Sequence, residues 1–404
     1  MTRRARAHYA KVAALATTLL FVASGCAMSL DGDTPQTTLD PKGPEAQSIH
    51  NLALPVFFIA GIVFVLIIGG SLYVALRFRA RDDDEHEFPE QVHGNFKLEI
   101  GWTIAPAVLL LIVAVFTVST IFNLARKPDK ESLTVEVIGQ QWWWEYRYDV
   151  DVDGDGETEQ IITANDMVIP TGREIDLRIK SNDVIHSWWA PALNGKKDAV
   201  PGRVHPLIIS TDEAGEYIGQ CTEFCGLSHA VMKIKVIALE PADFQAWAEK
   251  QTAAFEAPED EAAMRGWEAF ASQCTTCHRI TGMTDPTAEE GDAEFEYPEV
   301  INQVSGNAPN LTKFMTRTTF AGAMFDLRLP TEECKALGTD WAETPEGIDQ
   351  CLNEERLEAW LRNSPAEKFM YPGEAPSPES RGMTNFNLTE DQIDDLVAFL
   401  ITLQ

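Results

Sequence analysis

The chain has 404 residues, 45% of them hydrophobic, with a formal net charge of −30 and 7 cysteines. That length allows about two or three domains with cores of their own. So acidic a chain does not offer the basic surface that a nucleic-acid partner requires. Its 22 prolines and 26 glycines are too few for a low-complexity chain, and the cysteines are too few for a disulfide-dense mini-protein.

The N-terminus reads as an export signal over residues 1–25. Arg3, Arg4, Arg6 and Lys11 precede a short apolar run, Val12 to Ala23, and small residues lead to Cys26. Ala23-Ser24-Gly25-Cys26 resembles a bacterial lipobox, with Ala23 where Leu is usual, and implies lipidation of Cys26. Residues 26–50 read as a polar linker. Leu52 to Leu76 and Trp102 to Phe122 then carry no charge, and each meets the roughly 20 residues a membrane helix needs. They predict a transmembrane hairpin over 51–125, with Pro55 and Pro106 placed in the first turns. An exported residue 27 and two crossings put everything after about residue 125 outside the cytoplasm.

From Leu133 the pattern alternates as in strands: Leu133 to Ile138, Ile175 to Ile179, and Met232 to Ile237. Turn residues separate these runs, so 130–240 reads as an all-β sandwich or barrel. Alternation across Trp142-Trp143-Trp144 predicts that Trp142 and Trp144 share a face. Asp149 to Gly154 imitates the start of a calcium loop. Gln160 stands where its last ligand should be Glu, so an acidic turn is expected. After Pro241 the texture is helical, with amphipathic patterns at 243–255, 261–273 and 389–402. Thr389 and Gln392 form a capping box for the last. Residues 241–260 read as a linker and 261–404 as a further all-α domain. This tail holds 31 Asp and Glu against 11 Lys and Arg from Pro241 onward, a field that suits a basic partner.

Cys221-Thr-Glu223-Phe-Cys225-Gly-Leu-Ser-His229-Ala-Val-Met232 gathers thiolates, imidazole and thioether in twelve residues. That soft set suits copper better than a closed zinc site, for which the Met is superfluous. A disulfide between Cys221 and Cys225 is the plainer alternative. His186 and His205 compete as a second imidazole. Downstream, Cys274-Thr-Thr-Cys277-His278 is the c-type haem attachment pattern. Its distal ligand should be a Met or His downstream, and the domain offers Met283, Met315, Met324, Met370 and Met383. Cys334 and Cys351, without His neighbours, predict a disulfide within an insertion at 329–353; a second insertion, at 285–299, is acidic.

With these motifs in place, residues 50–240 resemble subunit II of haem-copper cytochrome c oxidases. The resemblance rests on Gln141-Trp142-Trp143-Trp144-Glu145-Tyr146, His186-Ser187, Pro191 to Arg203, and the 221–232 run. It implies a cupredoxin barrel behind a two-helix hairpin, holding the dinuclear copper centre CuA. Cys221 and Cys225 would bridge. His186 and Met232 would complete one copper, and His229 with the Glu223 carbonyl the other. It also implies magnesium at the Glu223 carboxylate, electron uptake at Trp142, and a proton-path mouth at Glu99. Arg381-Gly382-Met383 and Ala308-Pro309-Asn310-Leu311 resemble loops of small cytochrome c domains and point to Met383 as the haem's second ligand. The whole resembles a caa3-type chain, subunit II fused to a cytochrome c, in a bacterial plasma membrane. Its implied partners are subunits I and III, with cytochrome c or a bc1-type complex as donor. A nitric-oxide reductase subunit and a copper-free quinol oxidase subunit are the alternatives within the same fold.

Overall fold

The computed structural model describes residues 36–79, 91, 93–283, 308–338, 340–370 and 381–404. The expected signal peptide with Cys26 and the acidic insertion at 285–299 lie outside the described residues.

Two long apolar helices come first, α1 (Pro44–Arg77) and α2 (Phe96–Leu124). Their apolar side chains are largely exposed, as expected of a surface that meets lipid. Both start earlier than the apolar runs. Pro44 opens α1, and Asn95 caps α2 by accepting from the Lys97 and Leu98 N–H groups. Pro55 and Pro106 therefore lie inside the helices, not in their first turns. The edge of the apolar run marks the lipid boundary, and the helix continues into water until a cap ends it.

The expected linker over 26–50 is also partly built into the fold. The Lys42 and Gly43 N–H groups donate to the Ala192 carbonyl, and Glu45 and Ala46 are buried. Arg126, just past α2, pairs with both Glu45 and Glu174, which ties the hairpin to the next domain.

That domain is a two-sheet barrel. Its strands are β1 (Leu133–Gln140), β2 (Trp143–Val150), β3 (Glu159–Ala164), β4 (Asp166–Pro170), β5 (Ile175–Ser181), β6 (His186–Trp188), β7 (Lys197–Ala199), β8 (His205–Ile209), β9 (Gly215–Gln220) and β10 (Lys233–Leu239). The larger sheet runs β3-β2-β1-β5-β8 and the smaller β4-β10-β9, with β6 and β7 forming a ribbon. Val135, Val137, Trp144, Tyr146, Leu177 and Ile179 fill the space between the sheets. The turn that follows β2 is acidic: Asp151 accepts from the Gly154 and Gly156 N–H groups.

Strand β2 begins at Trp143, so Trp142 lies just outside it. All three tryptophans are buried, and Trp142 and Trp144 join the barrel core while Trp143 does not, as alternation predicts. One expectation needs correcting: the segment 241–260 is not a free linker. Helix α3 (Pro241–Thr252) lays Phe244, Trp247 and Ala248 on the barrel, with the Trp247 ring 5.5 Å from that of Tyr148.

The C-terminal module is mostly helical: α4 (Glu261–Gln273), α5 (Glu332–Ala336), α6 (Pro345–Cys351), α7 (Glu354–Glu367) and α8 (Glu390–Ile401). It is not all-α, because β11 (Thr319–Phe320) pairs with β12 (Phe325–Asp326). Helices α4 and α8 cross closely at Gly266, where a Cβ would collide with the Asp395 carbonyl and Phe399. Phe270 and Phe399 pack there at 5.4 Å. Thr389 and Gln392 form the capping box of α8. Cys334 and Cys351 are joined, with Cα atoms 5.6 Å apart.

The module is seated on the barrel through polar contacts. Buried Asp166 accepts from the Thr318 N–H and from the Thr318 and Thr319 hydroxyls. Glu216 pairs with barrel Lys235 at 2.8 Å and with Arg328 of the module at 2.5 Å. Lys235 is buried although alternation would place it in water, because the module covers that face of β10. Burial works against the Glu216 charge, but Lys235 and Arg328 outweigh it and hold the carboxyl below its usual range.

Candidate metal centre and C-terminal cavity

The turn after β9 carries the soft donors, and β6 faces it. Cys221 and Cys225 are both buried, unbridged, and have their sulfurs 3.8 Å apart. His186 Nδ1 lies 4.0 Å from the Cys221 sulfur, and His229 Nδ1 lies 3.6 Å from that of Cys225. Met232 Sδ is 3.8 Å from the Cys225 sulfur, and the Glu223 carbonyl oxygen is 3.2 Å from that of Cys221. The ligand atoms of His186, Cys221 and Cys225 all fall within 4.8 Å of one another. All six expected donors therefore converge.

His205 is excluded by position: its Nδ1 is 2.7 Å from the Asp198 carbonyl, away from the sulfurs. Geometry thus decides what spacing left open. The Glu223 carboxylate belongs to neither of the clusters of His, Cys and acid side chains found among the described residues.

The electrostatics suit a cation. The contact between the sulfurs favours the Cys221 thiolate, while the same contact and burial push the Cys225 thiol up. Burial alone would lower the His186 imidazole, but Asp183 and Cys221 outweigh it and raise its pKa. Asp183 Oδ1 sits 2.8 Å from His186 Nε2, which turns Nδ1 toward the sulfurs. The sequence reading gave Asp183 no role; its only signal was a carboxylate three residues before the His.

Trp142 stands beside this centre. Its indole Nε1 donates to the Cys225 carbonyl at 2.9 Å, and Gln141 Nε2 donates to the same oxygen at 2.7 Å. Glu99 is remote from it. In the first turn of α2, its Oε1 accepts from the Asn95 N–H at 3.2 Å, as a carboxylate at a positive helix end should.

The second site is a cavity of about 470 Å³ between the module and the barrel. The module contributes Cys274, Cys277, His278, Arg317, Met370 and Met383, and the barrel contributes Gln141, Trp142 and Trp143. His278 Nδ1 lies 2.8 Å from the Pro309 carbonyl, which leaves Nε2 as the ring's coordinating nitrogen. Burial lowers the His278 pKa and favours the neutral ring. Burial pushes the Cys274 thiol up to about 12. Met370 Sδ already accepts from the Met383 N–H at 3.2 Å, while Met383 packs against both cores. Met283 and Met315 are buried in the module core, and neither lines the cavity.

Arg317 went unnoticed in the sequence. It is buried and lines the cavity, and its Nε has no hydrogen-bond partner. A cavity with a thiol pair, a neutral imidazole, a thioether and a buried guanidinium fits a haem with anionic propionates.

Two family models match the chain. Cytochrome c oxidase subunit II, periplasmic domain, covers residues 133–239, and the transmembrane domain of the same subunit covers 36–120. The chain is 36% identical to cytochrome c oxidase subunit 2 of Alkalihalophilus pseudofirmus, over 69% of this chain and 81% of that protein. It is 33% identical to cytochrome c oxidase subunit 2 of Bacillus sp. strain PS3, over 91% of both. It is also 33% identical to quinol oxidase subunit 2 of Bacillus spizizenii, over 58% of this chain and 70% of that protein.

Proposed function

Since the chain belongs to the cytochrome c oxidase subunit 2 family, we propose that it carries two redox centres, CuA in the barrel and a covalent haem c in the C-terminal module. Members of this family are the subunit where electrons enter a haem-copper oxidase, an oxidoreductase complex built around subunit I. Cys274, Cys277 and His278 would hold the haem, and the soft donors of the barrel the copper pair; together these groups would supply one-electron chemistry between a donor and subunit I, where oxygen is reduced to water with proton pumping.

The observation that carries this reading is the convergence of Cys221, Cys225, His186, His229, Met232 and the Glu223 carbonyl on one point. Two thiolates and a thioether are the wrong set for a quinol oxidase subunit, which holds no copper. Cys221 and Cys225 would hold the coppers as thiolates and so lose their protons on binding. Asp183 would keep His186 in the ligating tautomer. Rigid placement of all six donors limits rearrangement between redox states.

In the module, Cys274 and Cys277 would form the thioethers and His278 would ligate iron. Met383 would be the second ligand, since the Met370 sulfur is already engaged by the Met383 N–H. Arg317 would meet a propionate. Trp142, in contact with the Cys225 carbonyl and lining the cavity, would relay electrons between the two.

The finer assignments form part of the same proposal. They are magnesium at the Glu223 carboxylate with subunit I, a proton-path mouth at Glu99, lipidation of Cys26 after cleavage of the signal, and an extracytoplasmic barrel and module. Subunit III is a further partner. Cytochrome c or a bc1-type complex is the donor, drawn by the acidic surface.

The test is the purified complex with Cys221→Ser/Cys225→Ser, followed by haem c absorbance and oxygen uptake. Haem c that still reduces while oxygen uptake collapses is the expected result. Persistent oxygen uptake would mean that electrons bypass the barrel.

A further inference from the structure

Lys368 ends α7 and is buried where the module meets the barrel. Its Nζ donates to the Trp142 carbonyl at 2.8 Å and to the Ala321 carbonyl at 2.7 Å. One carbonyl belongs to the barrel and the other to the module. Burying a lysine amine costs hydration that two hydrogen bonds to neutral oxygens only partly return, so such a group needs another reason to be there.

The contacts around it supply one. Trp142, held through its carbonyl by Lys368, reaches the Cys225 carbonyl through its indole. Lys368, Trp142 and Gly322 all line the C-terminal cavity. Gly322 has φ +77°, and a Cβ there would collide with both the Trp142 carbonyl and Lys368 Nζ. The backbone thus leaves room at this point for the amine and the carbonyl alone.

We propose that Lys368 is a positioning residue for electron transfer, holding Trp142 between the C-terminal cavity and the Cys225 side of the metal centre. This rests on the reading of the cavity as a haem c site and of the cluster as the copper pair. Docking of the module has other contacts besides Lys368. Asp166 with Thr318 and Thr319, Glu216 with Arg328, and Ser228 with the Phe369 carbonyl hold the same interface. Removing the amine should free Trp142 while the module stays seated.

The experiment uses the whole oxidase with Lys368→Met. It measures the electron-transfer rate from haem c to copper after rapid photoreduction, and the spectra and potentials of both centres. Hydrogen exchange at the Thr318 and Lys233 amides reports docking. The expected result is wild-type spectra, potentials and amide protection, with the transfer rate down roughly tenfold, since small misplacements of a positioned group have effects of that order. Lys368→Arg, which keeps a donor, should recover part of the rate.

An unchanged rate in the loaded, docked variant overturns the proposal. So does a slower rate accompanied by loss of amide protection, because Lys368 would then be holding the module and not Trp142. Should Lys368→Met fail to assemble, Gly322→Ala crowds the same carbonyl and keeps the amine, and a wild-type rate there also overturns the proposal. A wild-type complex without a haem c band removes the reading of the cavity itself, and the proposal with it.

Discussion

The metal centre of the barrel and the cavity of the C-terminal module differ in how much chain each needs. Residues 221–232 and His186 supply every donor of the first, on the turn after β9 and on β6, both fixed by one core. The cavity draws on 274–278, 308–317 and 383 of the module, and then on Gln141, Trp142 and Trp143 of the barrel. The first site is complete within one domain. The second is closed by the neighbour on which its module sits. A site made by one short loop tolerates change elsewhere, whereas a site made at an interface inherits every weakness of that interface.

The largest test of this contrast is the Cys221→Ser/Cys225→Ser variant, which should abolish copper binding and oxygen uptake while leaving the haem c band intact. Loss of both centres would show that the two sites are not independent. Next in size is the distal ligand. On the proposed haem c reading, Met383→Ala should change the haem spectrum and lower its potential, while covalent attachment through Cys274 and Cys277 would persist. Met370→Ala should leave the iron's coordination as it is. The reverse pattern in optical spectra would exchange the roles of the two methionines.

A smaller effect belongs to the module alone. Cys334→Ser/Cys351→Ser opens a loop of sequence separation 17 and should destabilise the module by about 3 kcal/mol in the chain-entropy model. Thermal unfolding followed by haem absorbance would read it, with the copper centre unaffected.

The smallest is the pH dependence of docking. Lys235 and Arg328 outweigh burial and depress the Glu216 pKa in the folded state. Its contribution is therefore present above the unfolded value and is lost as pH falls through the folded one. Amide protection at the interface should weaken below the ordinary glutamate range, by about 1 kcal/mol or less for this partly exposed pair. In Glu216→Gln that part of the pH dependence should vanish.

Much of the copper site was legible because its donors are close in sequence and chemically rare together. The Cys-x-x-Cys-His pattern and the cap of α8 were legible for the same reason. What escaped depends on the meeting of distant segments. His186 and His205 could not be ranked by spacing, and the fold separates them by strand placement. Arg317 and Lys368 look like ordinary surface cations in the sequence, and both are buried at one interface.

The sequence by itself determined the local chemistry: two membrane-length apolar runs, a β-rich middle, a helical acidic tail, and the donors at 221–232 and 274–278. Periodicity and motif spacing act over a turn or a hairpin, which is why they can be read from one strand of text. Only the tertiary structure decided that the tail covers β10 and α3 packs onto the barrel. It also decided that the cavity is walled by Trp142 and that Lys368 spans the junction. Those outcomes follow from burial and hydrogen bonding between residues as many as 226 positions apart, which no local pattern encodes.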